Sequence, residues 1–182
     1  MKDQSEFFHK HGYAYLKDVL TPEQCLRFAG IMLAMKEENM LQYEGKTADQ
    51  PNAFYDNSFG GNHAEFEEAL RAVQPRIEEE LGLVGKMKPA NSFARIYYNG
   101  GTLDQHVDRD GLDYTISITL YNNLKTDWPL WAVDKLNNTM PFNIATGDGA
   151  MILGTTMRHW RDPLVCDPED FVIQLFMHWS FA

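Results

Sequence analysis

Two imidazoles and one carboxylate are the side chains of this sequence best placed to do chemistry together. His106 and Asp108 stand two apart in His106-Val107-Asp108, so on an extended strand they point to the same face. A second imidazole, His159, comes from the distant segment Met157–Arg161, 51 residues beyond Asp108. Two histidines and a carboxylate can occupy one face of an octahedral metal and leave the opposite positions open, an arrangement suited to non-haem Fe(II) and oxygen chemistry. The other candidates read as bystanders. Asp110 beside Gly111 reads as a turn residue and Asp104 as solvated, while His63 reads as exposed. His178, next to Trp179, reads as a buried, hydrogen-bonded core histidine.

The elements that must carry these groups change character along the chain. Residues 3–10 suggest a short helix and 12–19 an alternating strand. Thr21-Pro22-Glu23-Gln24 is a strong helix start, with Thr21 as cap, Pro22 at the first position and Gln24 closing a capping box. That helix is expected to reach about Asn39 and to bury Leu26, Ala29, Ile31, Met32 and Met35. Residues 43–62 are rich in Gly, Asn, Asp, Pro and Ser, and read as a long surface loop whose aromatics pack over something. Phe66, Leu70, Val73 and Ile77 mark a second helix over 64–81, with Pro75 inside it and Gly82 ending it.

From Asn91 onward the pattern is one of short strands: 92–98, 102–107, 114–121, 129–133, 141–145, 149–153, 157–160 and 171–181, with Asn99-Gly100-Gly101 as a turn between the first two. Eight such strands suggest a double-sheet jelly roll. The expected class is α+β, mainly β, in a single domain over 1–182, with a helical part over 1–90 and a jelly-roll core over 91–182.

Bulk properties bound the function. No apolar run reaches the roughly 18 residues a membrane span needs, and the polar start Met1–Glu6 is unlike a signal peptide. With only Cys25 and Cys166, and no Cys-x-x-Cys pair, a cytoplasmic protein with free thiols is expected. The net charge of −10 and the scattered Lys and Arg speak against a nucleic-acid partner. Nothing in the sequence fixes an oligomeric state.

The segment Ala94-Arg95-Ile-Tyr97-Tyr98-Asn99-Gly100-Gly101 through His106-Val-Asp108, the Gly147-Asp148-Gly149…Gly154 strand before His159, and the closing Phe171–Trp179 segment resemble the core of the Fe(II)/2-oxoglutarate-dependent dioxygenases. The Gly12–Leu26 entry is similar to that of small prolyl-hydroxylase-like members. The resemblance implies a double-stranded β-helix, a cupin-like jelly roll, with the N-terminal helices packed on one sheet. It implies Fe(II) held by His106, Asp108 and His159 as the catalytic centre, 2-oxoglutarate as cosubstrate, and O2. An Asp at position 108, where related halogenases carry a small residue, implies hydroxylation or another oxygen insertion, with hydroxylation of an aliphatic carbon in a small-molecule or peptidyl substrate the expected outcome.

Many members of this family place an Arg or Lys on the last strand to hold the far carboxylate of 2-oxoglutarate. Here 171–180 contains neither. Arg161, two residues after His159, is the first substitute and Arg95 the second, with Tyr97 as a hydroxyl donor. Two other readings stand beside the hydroxylase: a nucleobase-oxidising enzyme of the demethylase type, and a non-catalytic cupin-like metal- or ligand-binding module.

Overall fold

In the computed structural model, which describes residues 2–182, three helices pack on an antiparallel β-structure of ten strands. Helix α1 (Lys2–His11) leads into β1 (Tyr13–Leu16), and α2 (Pro22–Glu37) follows. The capping box of α2 forms as its sequence predicts: Gln24 N–H donates to Thr21 Oγ1 and the Thr21 N–H to Gln24 Oε1. The buried face of α2 is Cys25, Phe28, Ala29 and Met32, whereas Leu26 is 75% exposed. The expected stripe was therefore misphased at its start, because Phe28 and not Leu26 fills the space against Phe66.

The glycine-rich stretch expected as a surface loop instead builds two strands, β2 (Gln42–Glu44) and β3 (Tyr55–Gly61). β3 pairs with the long strand β4 (Met87–His106), and β2 pairs with β3. Gly, Asn and Ser carry too little side chain to show alternation. The ladder to β4, not side-chain pattern, makes β3 a strand. Between β3 and β4 runs α3 (Ala64–Leu81), which passes through Pro75 and stops at Gly82 in the left-handed conformation, φ 66°. Leu83 N–H closes that end on Glu78 O at 2.7 Å.

The expected turn at Asn99-Gly100-Gly101 is absent: β4 is one strand of 20 residues. Gly100, at φ 84°, lets the chain turn a corner without stopping. Before the corner β4 pairs with β10 (Val172–Phe181), and after it with β9 (His159–Arg161). One sheet therefore runs β1, β8 (Gly149–Leu153), β5 (Tyr114–Asn122), β10, β4, and continues through β4 into β9, β6 (Leu130–Val133) and β7 (Thr139–Phe142). Folded at this corner, it is a jelly roll. Residue 90 lies inside β4, and β1–β3, from the part expected to be helical, pair into the same sheet.

Period-two alternation sorts the side chains of the central strands. On β10, Ile173, Leu175, Met177 and Trp179 join Ile116 and Ile118 of β5 and Ala94 and Ile96 of β4 in the core beneath the helices. The opposite face carries Gln174, Phe176 and His178 on β10 with Thr115, Ser117 and Thr119 on β5, and Asn91, Phe93 and Arg95 on β4. These residues line the polar interior of the roll. Among the described residues no helix is long and apolar enough to cross a membrane.

Candidate active site

A bulge aims the first histidine. Leu103 faces Arg161 and His106 faces His159, so three steps along β4 match two along β9. The extra residue lets Leu103 and His106 both point inward, which an unbroken strand forbids at that spacing. The bulge also sets the ring: His106 Nδ1 lies 2.7 Å from the carbonyl of Asp104. Across the ladder, His159 Nδ1 lies 2.9 Å from the carbonyl of Met157. Both Nδ1 protons are thereby donated to backbone oxygens, leaving both Nε2 lone pairs free.

Those lone pairs converge on Asp108. His106 Nε2 and His159 Nε2 are 3.6 and 3.5 Å from Asp108 Oδ1, and the two rings lie 4.3 Å apart between centroids. The three ligand-capable atoms all fall within 4.8 Å of one another. Three lone pairs aimed at one point suit a cation, and the set of two imidazoles and one carboxylate suits Fe(II).

Asp108 is fixed from behind. Thr115 Oγ1 donates to its Oδ2 at 2.5 Å, and Asp108 N–H donates to Gly154 O at 2.8 Å. Burial works against ionisation of this carboxyl, but in the metal-free site donation to it from the two imidazoles, when Nε2 carries a proton, and from the Thr115 hydroxyl outweighs burial and holds Asp108 well below the usual carboxylate range. A β-carbon at Gly154 would collide with Asp108 Oδ2, the Leu112 carbonyl and Thr115 Oγ1. Thr115 and Gly154 escape a sequence reading. Their contacts cross strands, and the only hint of Gly154 is the apolar strand that it ends.

The triad opens into a cleft of about 590 Å³, within the range of small-ligand sites. Phe93, Leu103, Leu112 and Phe176 give it apolar walls, and Asn91, Arg95, Glu44 and His178 add polar ones. His178 is buried as expected, with Nδ1 on the Asn91 carbonyl at 3.3 Å, and burial lowers the pKa of its ring. Phe54 lies against His106 at the mouth, 5.4 Å between centroids. His63 instead caps α3, accepting from Glu65 N–H, and His11 pairs with Asp134.

Arg161 and Arg95 have different surroundings. Arg161 is 3% exposed. It donates to Trp128 O at 2.7 Å and Gln174 Oε1 at 3.2 Å, and lies over the Trp128 ring at 4.5 Å. Its Nε has no partner, and no carboxylate pairs with it among the described residues. Burial pulls its guanidinium down to about 10. Tyr97 stacks edge-on to the same Trp128, and its buried hydroxyl is likewise unpartnered. Burial pushes that phenol up while both arginines pull it down, and burial wins, so it remains a donor. Arg95 is already engaged with Glu44 and lies over the rings of Tyr55 and Phe93. Gln174 holds Arg161 and is itself anchored to Thr119 at 2.9 Å, contacts across strands that a search for Arg or Lys on this segment does not find.

No family model and no curated protein matches the sequence. Solved structures match its fold along nearly the whole chain. A Pseudomonas putida prolyl-4-hydroxylase superposes with a TM-score of 0.76 at 11% identity, covering 98% of this chain and 97% of that one. A Trichoplax adhaerens prolyl hydroxylase, in complex with a hypoxia inducible factor oxygen degradation domain peptide fragment, gives 0.74 at 11%, covering 97% and 87%. The non-haem α-ketoglutarate-dependent carbocyclase SnoK from nogalamycin biosynthesis gives 0.70 at 11%, covering 99% and 84%. The protein thus has the double-stranded β-helix fold of the 2-oxoglutarate- and iron-dependent oxygenases.

Proposed function

We propose that the protein is an Fe(II)/2-oxoglutarate-dependent dioxygenase that hydroxylates an aliphatic carbon. The observation that carries this is the convergence of His106, Asp108 and His159, with both imidazole Nδ1 atoms committed to carbonyls and one face of the triad open to the cleft. His106, Asp108 and His159 would hold the iron.

The far end of the cosubstrate has a fitting seat. Glu44 cancels Arg95, so one positive charge, that of Arg161, remains uncompensated in the interior. An unpaired buried charge is costly, and one carboxylate accepting from Arg161 Nε and the Tyr97 hydroxyl closes the account. The guanidinium of Arg161, held by Trp128 and Gln174, keeps its orientation with or without that carboxylate. Arg161 and Tyr97 are therefore the cosubstrate residues of this reading, and Arg95 a neighbour of them.

With iron and 2-oxoglutarate bound, O2 supplies one oxygen atom to the substrate C–H bond and one to succinate, with release of carbon dioxide. The chain's own part is to orient and to keep water out. Phe93, Leu103 and Phe176 wall the reacting space, and Thr115 and Gly154 hold the carboxylate of Asp108 in place.

Anaerobic addition of Fe(II) and then 2-oxoglutarate is the test. A weak visible charge-transfer band is expected, and succinate on admitting air. Metal binding with neither band nor succinate would instead make the protein a cupin-like binding module.

A further inference from the structure

The cleft contains a second charged pair that the oxygen chemistry leaves unused. Arg95 and Glu44 both line it, each with a side chain 12% exposed. The Arg95 guanidinium lies 3.8 Å from the Tyr55 ring centroid, 4.9 Å from Phe93 and 5.3 Å from Phe176. As a fastener the pair is a poor device, since apolar residues of similar volume stabilise as well or better. β2, which carries Glu44, is already held by its ladder to β3. The sequence makes room for the pair even so: a β-carbon at Gly60 would strike Glu44 Oε2 and the Phe93 ring at 2.5 Å.

Neither member is saturated. Arg95 spends Nε and Nη2 on Glu44, leaving Nη1, and Glu44 Oε1 has only the loose 3.5 Å contact to Nη2. Asn91 Oδ1, in the same cleft, is a buried acceptor with no donor, which a substrate N–H would satisfy. Arg161 lines a separate cavity with Trp128 and Gln174; with iron and a dianionic cosubstrate reaching it, Asp108 and the dianion would offset the iron and Arg161, and within the cleft Glu44 offsets Arg95. A substrate buried there must itself be neutral overall, yet the adjoining plus and minus call for a molecule with its own plus and minus.

We infer that the primary substrate is a free α-amino acid with an aliphatic side chain, its carboxylate on Arg95 and its ammonium on Glu44. This rests on Arg161 and Tyr97 being the cosubstrate's seat. Phe93, Leu103, Leu112 and Phe176 receive the side chain beside the triad. A residue within a peptide has lost both charges and leaves the pair unanswered. The reaction is one C–H bond of the side chain becoming C–OH, with O2 reduced and 2-oxoglutarate oxidised to succinate and carbon dioxide.

The test is calorimetric titration of the protein loaded with Mn(II) and 2-oxoglutarate, which binds without turnover. The ligands are the twenty common amino acids, and the apolar ones again as N-acetyl and as carboxamide forms. An apolar free amino acid is expected to bind, and each blocked form about tenfold more weakly or worse. Glu44→Gln is expected to weaken the free amino acid by about tenfold while Mn(II) and 2-oxoglutarate load as before. Binding of no free amino acid, blocked forms that bind as tightly, or an unaffected Glu44→Gln overturns the inference. Should Glu44→Gln fail to fold, the ligand series on the unaltered protein decides alone. Failure of Mn(II) and 2-oxoglutarate to load overturns the oxygenase reading itself.

Discussion

Thr115 stands behind the candidate metal ligands: it donates to Asp108 Oδ2, while the two imidazoles face Oδ1. Removing such a partner frees the ligand to rotate, and Thr115→Val is expected to weaken Fe(II) binding by about tenfold or more in a competition titration. Gly154→Ala forces Asp108, Thr115 or the Leu112 backbone to move; metal binding is expected to fall while the far-ultraviolet spectrum stays that of the parent. Arg161→Met keeps the bulk and removes the charge. The Kd for 2-oxoglutarate, read from the anaerobic band, is expected to rise by about tenfold to a hundredfold, the worth of a charged hydrogen bond. The grouping of His106, Asp108 and His159 was legible from type and spacing, and the inward placement of Arg161 from its two-residue offset to His159. Thr115, Gly154, Glu44 and Gln174 were not, because each acts through a partner on another strand, and register is not written in local sequence.

At the scale of elements, local chemistry reads well and tertiary pairing reads poorly. The α2 capping box forms as Thr21 and Gln24 require, and Thr21→Ala is expected to cost about 1 kcal/mol in denaturant unfolding. Gly82 ends α3 for the conformational reason that its type implies. The fold class and the strand-rich second half follow from alternation on β5 and β10. The failures have one cause. β3 is a strand because β4 offers it an edge, and Asn99-Gly100-Gly101 is a corner, not a hairpin, because β10 and β9 take over β4 on either side. In both places a partner distant in the chain overrides what the local residues favour.

For the molecule as a whole, acid stability has an identifiable source far from the cleft. Asp134 receives His11, the Leu136 and Asn138 amides and the Asn138 side chain, tying the N-terminal helix to the β6–β7 hairpin. Burial raises this carboxyl, but those bonds outweigh it and bring it to about 2 from 3.8. A depressed pKa contributes stability that is complete above the unfolded value and lost as pH falls through the folded one. The difference in unfolding midpoint between the parent and Asp134→Asn is thus expected to be full at about pH 5 and to shrink as the acid is titrated. β9, finally, is three residues long, with His159 and Arg161 at its ends. Two residues of strand span roughly 6.6 Å, so an iron held by His159 and the guanidinium of Arg161 would sit on opposite jaws of a fixed gauge. A keto diacid one carbon shorter, such as oxaloacetate, falls short of the far jaw, and 2-oxoadipate, one carbon longer, has to buckle between them.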